Sequence, residues 1–204
     1  MYQPGHFAET RIDALHELMR AYPFATVVAN ATNCLDANHL PFELVDGVLQ
    51  GHVARGNALA AANGAKVLVI FQGPHGYVSP NWYPSKRETG RVVPTWNYAV
   101  AHVHGRLRTI QDELWLRALL ERLTIRHEST QPVPWRVDDA PADYVQKLFG
   151  AIVGIEIAID RIEGKFKLSQ NHPLTNRMSV IEGLRERAMD NDARLAEWMT
   201  KSIS

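Results

Sequence analysis

The sequence predicts an α+β fold, mainly β, in which about six strands form hairpins and helices lie at the periphery. Three observations point there. Two strand-like segments meet at Asp46-Gly47, a pair that supplies the positive φ angles of a tight hairpin turn. Apolar residues alternate with a period of two over 99–108 and again over 151–163. Apolar residues recur at helical spacing over 10–22 and 109–128, and further helices are expected after Asn57, over 141–149, and over about 173–189 and 191–201.

Along the chain, residues 1–7 (MYQPGHF) are too polar and too rich in Pro and Gly for a regular element, although Tyr2 and Phe7 can dock on a core. From Thr10 to Tyr22, Ile12, Leu15, Leu18 and Met19 form one helical face, Thr10 and Asp13 are placed for a capping box, and Pro23 stops the helix. Residues 24–31 read as a buried strand. Segments 38–44 and 48–53 are the hairpin partners. The next stretch, ARGNALAAANG, predicts a short helix capped by Asn57 and ended by Asn63-Gly64. Arg55 and Gly56 precede its first turn, where unpaired N–H groups gather, so it reads equally as an ordinary capped helix or as a phosphate seat. Residues 66–73 are apolar at consecutive positions, as in a strand covered on both faces.

In the strand 99–108, Ala99, Ala101, Val103, Gly105 and Leu107 share one face, and Val100, His102, His104, Arg106 and Arg108 the other. Thr109 starts a helix to about residue 128, with Asp112 and Glu113 at its positive end and an apolar stripe of Leu114, Trp115, Ala118, Leu119 and Leu123. After Pro132 and Pro134, a short helix spans Pro141 to Phe149. Ala151, Val153, Ile155, Ile157 and Ile159 then point inward, and Gly164 is expected to bend the chain into KFKLSQN. If the strand continues, Lys165, Lys167 and Ser169 share a face that suits an anion, although a solvated sheet edge is the commoner reason for such lysines. Two helices, about 173–189 and 191–201, close the chain. Residues 1–172 thus make one domain, and 173–204 a helical extension packed on it.

The stretch from His75 to Tyr98 has neither period, yet it holds Tyr77, Trp82, Tyr83, Trp96 and Tyr98 among prolines at 74, 80, 84 and 94. Restricted backbone around fixed aromatics makes a wall for a flat ligand, whereas an Ω-like loop would merely pack its own rings. Composition excludes several classes. The 22 basic residues match 22 acidic ones, so no long-range field favours nucleic acid or an anionic membrane. The terminal helices are balanced too and offer no positive recognition face. No apolar run approaches the roughly 20 residues of a membrane span. The one cysteine, Cys34, cannot form an internal disulfide, and no signal-peptide pattern opens the chain, which reads as cytoplasmic. His102 and His104 have a spacing that can bind zinc, but HExxH and CxxC are absent and no metal site is expected. There is no P-loop, no GxGxxG and no nucleophile elbow, so no catalytic residue stands out.

Six motifs, MYQPGHF, HLPF (39–42), GHVARGN (51–57), HGYVSPNWY (75–83), VPTWNY (93–98) and FKLSQN (166–171), resemble in order those of the PaiB family of FMN-binding negative transcriptional regulators. The resemblance implies a split β-barrel, related to the pyridoxamine-phosphate oxidase fold and working as a homodimer with FMN at the subunit interface. It places His39 and Leu40 beside the flavin ring and Arg55 and Asn57 at the phosphate. Ser79, Trp82 and Tyr83 would form one wall, Thr95, Trp96 and Asn97 a second, and Lys165, Lys167, Ser169 and Gln170 polar clamps. After SQN the family commonly has an acidic residue before an arginine, whereas here Asn176 precedes Arg177. Three roles follow as expectations: a flavin-dependent regulator, a flavin reductase or other FMN-dependent oxidoreductase, or haem handling as on related barrels.

Overall fold

The computed structural model describes residues 1–30 and 34–203. Eight strands run through them: β1 (Ala8–Glu9), β2 (Phe24–Asn30), β3 (Leu35–Pro41), β4 (Glu43–Val45), β5 (Val48–Ala54), β6 (Lys66–Val78), β7 (Thr95–Ile110) and β8 (Ile152–Lys167). Six helices accompany them: α1 (Ile12–Ala21), α2 (Ser85–Thr89), α3 (Glu113–Glu128), α4 (Ala142–Gly150), α5 (Leu174–Arg187) and α6 (Asp192–Lys201). Hydrogen bonds order the strands β3-β2-β6-β7-β8-β5-β4, with β1 against β8. The class is α+β and mainly β, as the alternation required. Two compact units divide the chain, one of Pro23–Ile70 and Val103–Ile162, the other of Met1–Tyr22, Phe71–His102 and Glu163–Ser204.

In the first unit the hairpin forms across Asp46 (φ 48°) and Gly47 (φ 78°), pairing Val45 with Val48 and Glu43 with Gln50. The segment 38–44, expected to be one strand, is broken at Phe42, which turns into the core and donates its N–H to the Pro23 carbonyl at 2.9 Å. Strand β2 covers the expected 24–31 as far as Asn30, and Ala31 lies outside the described residues. Opposite the hairpin, β5 pairs with β8 so that Leu49 faces Ile157 and Val53 faces Val153, all four buried. Ala151 belongs to the end of α4 and is exposed, so the inward alternation starts two residues later than expected. Helix α3 is capped by Asp112, whose carboxylate accepts the Trp115 N–H at 2.9 Å, because Thr109 and Ile110 still belong to β7. Its buried stripe is accordingly Leu116, Leu119 and Leu123, while Leu114 is 80% exposed. The helix expected after Asn57 is a single 3-10 turn, Ala58–Ala61.

In the second unit α1 buries Leu15, Leu18 and Met19 as its spacing demands. The capping box does not form. The Glu9 carboxylate takes the Arg11 N–H at 2.8 Å instead, from the end of β1. Strand β6 runs on through Pro74 to Val78, with Gly76 and Val78 inward and His75 and Tyr77 outward. One inward residue is glycine, so the sequence carries no apolar alternation there. Since β7 begins at Thr95, the irregular part of the aromatic stretch shrinks to 79–94, and it contains a 3-10 turn and α2. Gly164 does not bend the chain. A Cβ there would lie 2.1 Å from Leu15 Cδ2 and 2.9 Å from the Glu9 carbonyl, so glycine is what lets β8 pass beneath α1 and β1. Strand β8 ends at Lys167, and Ser169 adopts a left-handed conformation (φ 65°). Helices α5 and α6 pack through Val180, Ile181, Leu184, Leu195 and Met199, all buried.

Candidate functional site

The residues singled out in the sequence fall into two sets, one on each unit. On the unit that contains both chain ends, the start of β7 lies beside the end of β8. The Lys167 ammonium donates to the Thr95 hydroxyl and, at 2.9 Å, to the Trp96 carbonyl. Asn97 is fully buried, and its Nδ2 donates to the Ser169 hydroxyl at 2.9 Å. Its Oδ1 is buried without a hydrogen-bond partner. Lys165 donates to the Tyr2 carbonyl at 3.1 Å and sits 5.4 Å and 5.5 Å from the ring centres of Tyr2 and Tyr98. Tyr2, expected to dock on a core, instead lies 82% exposed above this ammonium. The hydrogen bonds of both lysines therefore end on neutral oxygens.

The aromatics of this set serve different ends. Trp96 is 53% exposed, with His75 and Tyr77 5.8 Å and 6.5 Å away, and presents an open ring. Tyr83 is 2% exposed, stacks on His172 at 4.8 Å and 25°, and has no hydrogen-bond partner for its hydroxyl. Trp82 lies against α5, with the Arg187 guanidinium 4.9 Å from its ring centre and Gly183 beneath it. Ser79 caps its own turn by accepting the Asn81 N–H at 3.2 Å. Gln170 folds back on the main chain, accepting from the Leu168 N–H at 2.7 Å and donating to the Phe166 carbonyl at 2.5 Å.

Burial, and then the neighbouring Lys165, push the Lys167 ammonium below its ordinary range. Burial and Lys167 likewise lower His172, which is neutral at pH 7. Burial raises the Tyr83 phenol. Two ammonium groups whose hydrogen bonds end on neutral oxygens thus stand beside an open indole. An anion with an aromatic face fits that chemistry.

On the other unit, His39 is exposed on β3, with its Nδ1 3.0 Å from the Thr26 hydroxyl and its ring stacked on Phe24 at 6.3 Å. Leu40 turns into the core. Asn57 accepts the Leu59 N–H at 2.9 Å and donates to Asn38 Oδ1 at 2.7 Å. Arg55 is exposed, but its Nε and Nη2 hold the carbonyls of Gly150 and Ile152 at 2.8 Å and 3.1 Å. The helix N-terminus expected to assist it is only one 3-10 turn, so the charge available to an anion there is that of the guanidinium itself. His172, Asn38, Gly183 and Arg187 are neighbours of these sets that lie outside the motifs, and His75, which opens the motif HGYVSPNWY, was given no role by it.

A family model described as "Putative FMN-binding domain" matches residues 1–161. The Bacillus subtilis protein "Protease synthase and sporulation protein PAI 2" is 35% identical over 214 residues, covering 100% of this chain and 98% of that protein. An uncharacterised protein of Emericella nidulans is also 35% identical, over 93% of this chain and 92% of its own length. Among solved structures, the FAD and heme binding protein from Mycobacterium smegmatis superposes with a TM-score of 0.62 at 21% identity, over 84% of this chain and 78% of that one. The architecture is a split barrel, an antiparallel sheet with flanking helices. The chain belongs to the PaiB family of FMN-binding proteins, and its cofactor is FMN.

Proposed function

We propose that this protein is a cytoplasmic FMN-dependent regulator that holds the flavin at a homodimer interface and acts on transcription through the state of the flavin, not by reading DNA itself. The observation that carries the reading is the pair of ammonium groups whose hydrogen bonds end on neutral oxygens, next to the open Trp96 ring. In this reading His39 and Leu40 border the flavin ring, and Arg55 and Asn57 take the phosphate. Ser79, Trp82 and Tyr83 support one side of the flavin, and Thr95, Trp96 and Asn97 the other. Lys165, Lys167, Ser169 and Gln170 clamp its polar atoms. When bound, FMN supplies one- and two-electron redox chemistry, and these side chains set its orientation and electrostatics. Paired titrations with FMN and riboflavin test the phosphate assignment. Arg55→Ala should weaken FMN roughly 10- to 100-fold, the worth of a lost charged hydrogen bond, and riboflavin far less. Equal losses for both flavins would show the assignment to be wrong.

A second reading, an FMN-dependent oxidoreductase, draws support from Tyr83, His172 and Lys167, three titratable groups displaced from their ordinary ranges in one cluster. Steady turnover of NAD(P)H by the FMN-loaded protein would favour it over the regulator.

A further inference from the structure

The motif MYQPGHF contributes none of the residues assigned above to the flavin. In the unit that contains both chain ends, its first three residues lie along the end of β8 and touch Glu163, Gly164 and Lys165 in turn. The Met1 amine donates to the Glu163 carboxylate at 2.9 Å, the Gln3 side-chain amide donates to the Gly164 carbonyl, and the Lys165 ammonium donates to the Tyr2 carbonyl at 3.1 Å. Farther along, buried Phe7 fixes the base of the segment.

Tyr2 combines a tethered main chain with a ring that is 82% exposed. The ring centre lies 5.4 Å from the Lys165 ammonium, and that of Tyr98 lies 5.5 Å away. Lys165 itself is only 9% exposed, so two rings and a carbonyl leave little of it to a ligand while residues 1–3 hold this position. Moving them is not costly. A mostly exposed ring gives up little apolar area, and each tie to β8 is one polar contact of small net worth. We propose that residues 1–3 form a strap over Lys165 that a bound flavin displaces, a polar atom of the flavin taking the place of the Tyr2 carbonyl on the ammonium. The proposal rests on the reading in which Lys165 clamps the flavin. The strap then competes with the cofactor, and contacts that hold it down weaken flavin binding.

The test is a titration of the full chain and its variants with FMN. Tyr2→Leu, which removes the ring from the ammonium but keeps the carbonyl, should tighten FMN about two- to fivefold, the worth of an exposed cation–π contact. Tyr2→Phe, which keeps the ring, should not show this gain. Gln3→Ala, which frees the strap from Gly164, should tighten FMN as well. In a Lys165→Met background the effect of Tyr2→Leu should vanish, because the ring then holds nothing. The strap is overturned if Tyr2→Leu leaves FMN affinity unchanged or weakens it, as it would if the ring packed on the flavin, or if its gain persists beside Lys165→Met. Trp96→Ala separates that failure from failure of the flavin reading. It removes the open ring and should weaken FMN at least about fivefold. With that loss present, a missing gain sinks the strap alone; without it, the flavin lies elsewhere and both readings fall.

Discussion

Replacing Gly183 by alanine drives a methyl group into the indole of Trp82. A Cβ at that position would lie 2.5 Å from Trp82 Cδ2, 2.6 Å from Cε2 and 2.7 Å from Cγ. Carbon atoms normally settle about 3.5–4.0 Å apart, so the ring must retreat by about 1 Å. It is not free to do so without loss, because the Arg187 guanidinium sits 4.9 Å from its centre and is itself fixed by Asp192 at 2.7 Å and 2.6 Å. Overpacking of this kind costs about 1–3 kcal/mol, and a loosened cation–π contact about 0.5–1. Alanine returns about 1 kcal/mol through helix propensity. The net loss centres near 2 kcal/mol, which for a chain of this size lowers Tm by about 4–8 °C. Thermal unfolding with circular dichroism measures it, and the emission maximum of the displaced tryptophan should shift in parallel. In a double-mutant cycle with Trp82→Leu, the penalty of the alanine should largely vanish. A Tm equal to or above that of the native protein, with unchanged emission, would refute the packing argument.

Three further outcomes are expected. The FMN-loaded protein should run as a homodimer in light scattering at micromolar concentration, and a monomeric mass with flavin still bound would contradict the interface reading. At about 150 mM salt, where ionic contacts between exposed charges are largely screened, it should show no competitor-resistant binding to its own upstream DNA; nanomolar, sequence-specific binding would restore direct repression. Asp192 is held below the usual carboxylate range first by its hydrogen bonds to Arg187, so its contribution is present above the unfolded pKa near 4 and is lost as pH falls through the lower folded value. Asp192→Asn should therefore cost about 1.5–3 kcal/mol at pH 7 in urea unfolding, and progressively less as pH falls from the unfolded pKa towards the lower folded one; a pH-independent loss would argue against the ion pair.

Patterns that repeat over several residues were legible in the sequence, and contacts made by single residues were not. Alternation located β7 and β8, and Asp46-Gly47 located the hairpin, because each signal is local. The extension of β6 was hidden because one of its two inward residues there is Gly76, which carries no apolar label. The same reason explains Gly164, taken for a bend when it marks a close approach. The cap of α3 was placed three residues early because a strand and a helix pattern overlap at Thr109 and Ile110. For the candidate site, motifs brought Thr95, Trp96, Asn97, Lys167 and Ser169 onto one list, and these five do touch. The stacking of His172 on Tyr83 and the seat of Trp82 on α5 join residues 89 to 105 positions apart, and no period in the chain records such a contact.

Arg55 ties the end of β5 to the junction between α4 and β8. Its guanidinium holds the carbonyls of Gly150 and Ile152, and its N–H donates to the Ala151 carbonyl at 2.8 Å. An anion taken up by this side chain would therefore compete with the carbonyls on either side of Ala151, and the turn from helix into strand would register its arrival.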